Sequence, residues 1–199
     1  ILGPIGALWN CDLDKWTAAL ANNLGGTVHC CHAAIPHLIK AGSGRIINFA
    51  GGGATSPRMN LSAYAVAKTG IVRLTETVAE ELMAYHITVN AISPGLVNTR
   101  ILDDLASAGA AGGAESQTIE RLRRQGKVGI PAQLAADLVV FLASPEADGL
   151  TGRLISAPHD GWREWNEDRV RKIAASSWLT LRRLDFHTLD QLERSDLSS

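Results

Sequence analysis

The sequence predicts an α/β fold built on a parallel sheet, and three observations carry that prediction. "RIINFA" (45–50) and "ITVNAIS" (87–93) are short runs dense in apolar and β-branched residues, the composition of strands buried on both faces. Each is halted by turn formers: Gly51, Gly52 and Gly53 after the first, Pro94 and Gly95 after the second. Between them, residues 62–85 have the length and spacing of a helix. A strand, a helix and a strand in that order make a βαβ unit, which sets the two strands parallel.

The remaining elements follow in chain order. "ILGPIGAL" (1–8) reads as a loop entering mid-fold, and the first residue is Ile rather than Met, so the chain is expected to be incomplete at its front. From Asp12, a candidate N-cap, apolar residues fall at Leu13, Trp16, Leu20, Leu24, Val28, Cys31, Ile35 and Leu38. These steps of three or four predict one long amphipathic helix, with Pro36 in its last turns and Gly42 and Gly44 closing it. Residues 103–118, "DDLASAGAAGGAESQT", are rich in small residues and have little apolar pattern, which fits a mobile loop or a loose pair of helices. "PAQLAADLVVFLAS" (131–144) reads as a helix and "GRLISA" (152–157) as a last strand. The character changes at about Trp162, where three of the five Trp lie among balanced charges, so the division expected is residues 1–161 and an appended extension, 162–199. Its Trp162, Trp165, Trp178, Leu179, Leu181 and Leu184 need cover, from a neighbouring subunit or over a substrate cleft.

Composition narrows the function classes. The 199 residues are 46% hydrophobic and 20% charged, enough apolar mass for one sizeable core. The 19 Lys and Arg are scattered among 20 Asp and Glu, with net charge −1, which argues against nucleic acid or an anionic membrane as partner. No apolar run approaches the roughly 20 residues needed to cross a bilayer, and no secretory signal pattern opens the sequence, so a cytoplasmic protein is expected. Cys11, Cys30 and Cys31 read as reduced thiols. "HCCH" (29–32) suggests a metal, but consecutive side chains on a helix point about 100° apart and cannot converge on one ion, so a structural role is expected and no metal site.

The chemistry concentrates in "SAYAVAK" (62–68). Residues i and i+4 share a helix face, so Tyr64 and Lys68 can point into one cleft, while Ala65, Val66 and Ala67 let that face pack closely. A free phenol, with a pKa of about 10, is a poor acid or base at neutral pH; a nearby ammonium favours the phenolate and lowers that value. Such a pair could pass a proton to or from an alcohol or carbonyl oxygen, although an exposed helix face carries the same spacing. The helix follows the carboxyl end of a buried parallel strand, where open α/β sheets bind ligands.

With "NNLGG" (22–26), "GRIINFAGG" (44–52), "YAVAK" (64–68), "ITVNAISPGLVNT" (87–99) and "LASPEADGLTGRLI" (142–155) in this order, the sequence resembles the short-chain dehydrogenases/reductases, especially the 3-oxoacyl-carrier-protein-reductase-like members, over about residues 1–160. The resemblance implies the C-terminal part of a Rossmann-type doubly wound parallel sheet and hydride transfer between NAD or NADP and a carbonyl or secondary alcohol. Carried over by position, Tyr64 is the general acid/base, Lys68 lowers its pKa and holds the nicotinamide ribose, and Asn23 anchors a water linking Lys68 to solvent. Pro94 and Gly95 line the nicotinamide side of the cleft, Val97 and Thr99 hydrogen-bond its carboxamide, and Asn90 is structural. The flexible stretch 103–118 corresponds to the substrate loop, and the long helices 12–40 and 62–85 to those through which the family forms dimers or tetramers.

Two departures stand out. The family's serine, thirteen residues before the Tyr, is Gly51, which lets a substrate approach closely but supplies no hydroxyl; Thr55 or Ser56 could supply one if the loop folds back. The Gly-rich turn and ribose-selecting residue of the cofactor half are also missing from these residues, roughly 90 residues at about 30 per βαβ step, so the sequence reads as a fragment of a longer protein. In place of the family's "VDGG" stands "SAPHDGW", whose His159 and Asp160 are expected to be surface residues. The leading expectation is an NAD(P)-dependent oxidoreductase; the alternative is a catalytically weakened relative acting as a binding or assembly partner.

Overall fold

The structure is a computed structural model that describes residues 1–126 and 129–183. Three parallel strands form one sheet in the order β1 (Gly44–Phe49), β2 (Ile87–Ser93), β3 (Leu154–Ser156). Gly44 pairs with Ile87 and Phe49 with Ile92, while Ala91 pairs with Leu154 and Ser93 with Ser156, so all three strands end at one edge. Alternation along each strand sends side chains to opposite faces. Ile46, Ile87 and Val89 face one layer, packing with Ile35, Leu38, Val78 and Leu82. Ile47, Ile92 and Ile155 face the other, packing with Leu138, Phe141 and Leu142. Both faces are covered, which explains why the strand sequences read as nearly continuous apolar runs.

The long helix is interrupted. It consists of α1 (Leu13–Leu20), a π-helical turn at Ala21–Gly25, and α2 (Gly26–Ala41). Asp12 caps it as expected, accepting the Lys15 backbone N–H at 3.1 Å. At the π turn the Gly26 N–H reaches back five residues to the Ala21 carbonyl. Side chains take up the displaced backbone groups: Asn23 Nδ2 donates to the Ala19 carbonyl at 2.9 Å, and the Thr27 hydroxyl donates to the Asn23 carbonyl at 2.9 Å. Gly42 ends the helix, but Gly44, expected to close it too, is already the first residue of β1 and lies against Leu38, where a Cβ would meet Cδ2 at 2.8 Å.

Next comes α3 (Ser62–Glu81), which lies close to its neighbours because Ala63 and Ala67 on its inner face are fully buried. Trp16 Nε1 donates to the Ser62 hydroxyl at 2.9 Å, tying α1 to the start of α3. Residues 103–118, open between loop and helix pair, form the pair: α4 (Arg100–Ser107) and α5 (Gly113–Arg124), joined by a 3-10 turn at Gly109–Gly112. Leu102, Leu105 and Ile119 give these helices an apolar seam with Leu2 and Leu61. After α6 (Ala132–Ala143), Asn90 links β2 to the approach of β3: its Nδ2 donates to the Leu150 carbonyl at 2.8 Å and its Oδ1 accepts the Arg153 N–H at 3.1 Å. Asn90 is 1% exposed, a structural residue.

The extension from Trp162 packs on this same core over its described residues. Trp162 is 6% exposed, stacks with Phe141 at a centroid distance of 5.6 Å and donates from Nε1 to the Ala157 carbonyl at 3.0 Å. Val170 and Ile173 of α7 (Glu167–Ala174), with Trp165, Trp178 and Leu179, close the cluster around Leu138 and Leu142. Arg153 Nη2 donates to the carbonyls of Ile173, Ala174 and Ser176, holding the end of α7 against β3. Leu181 is fixed by the Glu76 carboxylate, which accepts its N–H at 2.6 Å, and Leu184 lies outside the described residues. Trp162→Ala is therefore expected to destabilise the protein by about 3–5 kcal/mol, as truncation of a buried aromatic does; the midpoint of urea unfolding checks it, and an unchanged midpoint would remove this segment from the core.

Candidate active site

Because the strands are parallel, the loops that leave β1, β2 and β3 gather at one edge of the sheet. Ala50 N donates to the Ile92 carbonyl and Ala157 N to the Ser93 carbonyl, both at 2.9 Å, so the pairing continues one residue past the strand ends and holds the loops together. There they border a cavity of about 1140 Å³. Its walls are Phe49 to Gly52 behind β1, Ser93 to Val97 behind β2, Tyr64 and Lys68 of α3, and Leu102 and Leu105 of α4. This one cavity thus contains Tyr64, Lys68, Gly51, Pro94, Gly95, Val97 and Thr99 from the expected set.

Tyr64 and Lys68 do share the cavity-facing side of α3, but not as a simple phenol–ammonium contact. Lys68 Nζ donates to the Phe49 carbonyl at 2.8 Å and lies 5.7 Å from the centroid of the Tyr64 ring. Tyr64 packs into the apolar seam of Leu61, Leu102, Leu105 and Ile119, so α4 and α5 bury the phenol. Burial pushes its pKa up from the ordinary phenol value; the Arg58 guanidinium pulls it down and the Glu115 carboxylate pushes it up. The cation expected to lower the phenol's pKa was Lys68; the one acting here is Arg58. Lys68 spends its charge on a backbone carbonyl, and burial lowers its own pKa. His159, exposed as expected, borders the same cavity, and Asp160 lies half-buried beside it with Oδ2 accepting the Ser156 N–H at 2.6 Å.

The Tyr64 hydroxyl lies against Gly51, in the loop behind β1. A Cβ built on it would stand 2.8 Å from Tyr64 Oη, so any side chain there must displace the hydroxyl. Thr55 and Ser56 are on the wall but exposed. Sequence reasoning missed Arg58 and Glu115. Arg58 Nε faces Glu115 Oε1 and its Nη2 donates to Oε2 at 2.7 Å, a two-point ion pair between the loop behind β1 and the first turn of α5. The signal available was a single cation in the glycine- and serine-rich stretch between strand and helix, "AGGGATSPRMNLSAY".

At the far wall, Gly95 has φ +78, and a Cβ on it would fall 2.5 Å from Ile130 Cδ1, so only glycine lets the loop behind β2 turn here. The Val97 N–H is used within that loop, donating to the Gly95 carbonyl at 3.0 Å, whereas Thr99 has a hydroxyl with no side-chain capping bond. Asn23 is not on the cavity wall; besides Ala19, its Nδ2 donates to the Ile1 carbonyl at 2.8 Å. For a nicotinamide ribose, the donor set fits: Lys68 Nζ has two N–H groups beyond its bond to Phe49, and the Tyr64 and Thr99 hydroxyls open on the same space. Among the described residues no three His, Cys, Asp or Glu gather as a metal site; Cys31 turns inward toward Asn48 and Cys30 outward. No described helix is long and apolar enough to cross a membrane.

The family model described as enoyl-(acyl carrier protein) reductase matches residues 2–158. The chain belongs to the short-chain dehydrogenase/reductase family. It is 40% identical over 152 residues to the short-chain reductase protein NovJ of Streptomyces niveus, covering 75% of this chain and 56% of that one. It is 36% identical over 155 residues to a D-beta-hydroxybutyrate dehydrogenase of Rhizobium meliloti, covering 75% and 60%. The chain therefore spans less than two thirds of these relatives. Among solved structures, NAD+-bound xylitol dehydrogenase superposes with a TM-score of 0.69 at 25% identity, over 78% of this chain and 64% of that one. The sheet, its flanking helices and the cavity at its carboxyl edge are this short-chain dehydrogenase/reductase's share of the Rossmann fold.

The chain has two tyrosines, so Tyr85→Phe leaves Tyr64 as the only phenol, and its ionisation can be followed by tyrosinate absorbance. The midpoint is expected above the ordinary value of about 10, higher still in Arg58→Met and lower in Glu115→Gln. Since the folded phenol then holds its proton more tightly than the unfolded one, stability is expected to fall as pH rises from about 10 toward that midpoint.

Proposed function

We propose that this chain carries the catalytic end of an oxidoreductase that moves a hydride between NAD or NADP and a carbonyl or secondary alcohol, with Tyr64 as general acid/base. The observation that carries the reading is the placement of Tyr64 and Lys68 on one cavity with Pro94, Gly95 and Thr99, at the carboxyl ends of parallel strands. When bound, the nicotinamide supplies or accepts the hydride. Lys68 and Thr99 would hold its ribose and carboxamide end, and Val97 offers its carbonyl or a displaced N–H rather than a free amide. Tyr64, a phenol and so protonated at neutral pH, can give its proton to the carbonyl oxygen as the alcohol forms in the reductive direction. In the oxidative direction the phenol must first lose that proton, and the Arg58 charge favours that loss while Glu115 opposes it. Asn23, which braces the π turn and Ile1, keeps the role the resemblance implies, anchor of a water that links Lys68 to solvent. The protein would work in the cytoplasm as a dimer or tetramer on a small carbonyl or alcohol, the assembly covering apolar side chains exposed on the two long helices, such as Leu13 and Val66.

One observation favours a second reading, a weakened enzyme serving as a binding or assembly partner: Gly51 gives the substrate oxygen no hydroxyl where the family has one. The two readings separate on Tyr64→Phe. With NADH or NADPH and a panel of ketones, loss of a positioned general acid is expected to lower kcat by about 10²–10⁴, and an unchanged rate would overturn the oxidoreductase reading. Gly51→Ala tests the crowding apart from the hydroxyl: displacement of Tyr64 Oη is expected to cost at least about tenfold in kcat, roughly 1.4 kcal/mol, and Gly51→Ser is expected to lower activity as well rather than restore it.

A further inference from the structure

A guanidinium ion donates hydrogen bonds along the edges of its plane, and the Glu115 carboxylate occupies only the Nε/Nη2 edge of Arg58. Nε and Nη2 are turned to Glu115, which leaves both protons of Nη1 on the other side. That side is the cavity wall, where a Cβ on Gly52 would stand 2.8 Å from Nη1. The preceding residue, Gly51, marks the position of Tyr64 Oη in the same way, at 2.8 Å. Two consecutive glycines of one turn thus carry the phenol and the guanidinium on one cavity, and neither group could come so near the backbone if a side chain stood there. Of the other charged groups of the wall, Lys68 holds the Phe49 carbonyl and keeps its remaining N–H groups for the nicotinamide ribose, and Asp160 is bound to the Ser156 N–H.

We propose that Arg58 is a specificity residue, whose Nη1 receives a second oxygen of the substrate beside the carbonyl that faces Tyr64, and that Glu115 sets which oxygen is accepted. This rests on the oxidoreductase reading and narrows its substrate class. Glu115 already neutralises the guanidinium, so the free edge suits an uncharged acceptor such as an ester, keto or hydroxyl oxygen. A substrate carboxylate would stand near the Glu115 carboxylate and be disfavoured by like-charge repulsion. Glu115 belongs to α5, one of the two helices that cover Tyr64, so the same ion pair holds the selecting group and the cover in register.

Ligand-observed saturation-transfer NMR, with NADH or NADPH present and absent, tests this with three probes: ethyl acetoacetate, 2-heptanone of similar length without the ester, and acetoacetate. The protein is expected to bind ethyl acetoacetate at least tenfold more tightly than either of the others. In Arg58→Met the preference over 2-heptanone is expected to disappear, and in Glu115→Gln acetoacetate is expected to gain about tenfold relative to the ester. No preference in the unmodified protein, an unchanged preference in Arg58→Met, or an unchanged ratio of acetoacetate to ester in Glu115→Gln would each overturn the proposal. Glu115→Gln keeps the guanidinium and carries the test should circular dichroism show Arg58→Met unfolded. Turnover retained by Tyr64→Phe would instead count against the oxidoreductase reading, a result the binding ratios do not share.

Discussion

The close approach of α3 to the loop behind β1 is the constraint on which the cavity depends. A Cβ on Gly53 would stand 3.2 Å from the Ala65 Cα, and one on Gly70 would meet Leu24 at 2.8 Å, so α3 is pressed between that loop and the π turn. Fully buried Ala63 and Ala67 let it lie there. With the helix this near, Tyr64 reaches past Gly51 and Lys68 reaches the last carbonyl of β1. Larger residues at any of these positions would lift the helix and carry the phenol away from the strand ends.

From that placement the electrostatics follow. A phenol covered by two amphipathic helices is held in its neutral form unless a cation compensates, and the compensating cation comes from the loop rather than from the same helix. The division of labour between the two basic residues is physical. Lys68 is a compact point charge that settles on a carbonyl, while Arg58 has a planar fork that can engage a carboxylate on one side and stay open on the other.

Much of the fold was legible because each strand and helix repeats one signal many times. "RIINFA" and "ITVNAIS" needed only their apolar density, and α6 only its period. The pair 103–118 was ambiguous because its apolar residues are few, and Leu102, Leu105 and Ile119 earn their helical form only against Leu2 and Leu61, which are remote in sequence. Tyr64 and Lys68 were legible as neighbours on a helix, yet the cation acting on the phenol was not. The Arg58–Glu115 pair joins residues 57 positions apart, and nothing local marks either as a site residue. The cover of Trp162 was illegible for the same reason: it looks like surplus apolar area until Phe141, 21 residues earlier, is seen beneath it, while Leu179, for which a place over the cleft was one expectation, does line the cavity.

The π turn at Ala21–Gly25 has a consequence for how this helix can change. One extra residue in a turn rotates everything after it by about 100°, so α1 and α2 present their apolar stripes to different neighbours: α1 to α3, through Trp16 and Ala19, and α2 to the sheet, through Cys31, Ile35 and Leu38. A single-residue deletion within 21–25 would give a more regular helix and a worse protein, because it would swing the second stripe off the sheet while leaving the first in place. Ordinary α-helical regularity is what the chain has to avoid at this point, and a length change of one residue here is a larger event than most substitutions in the core.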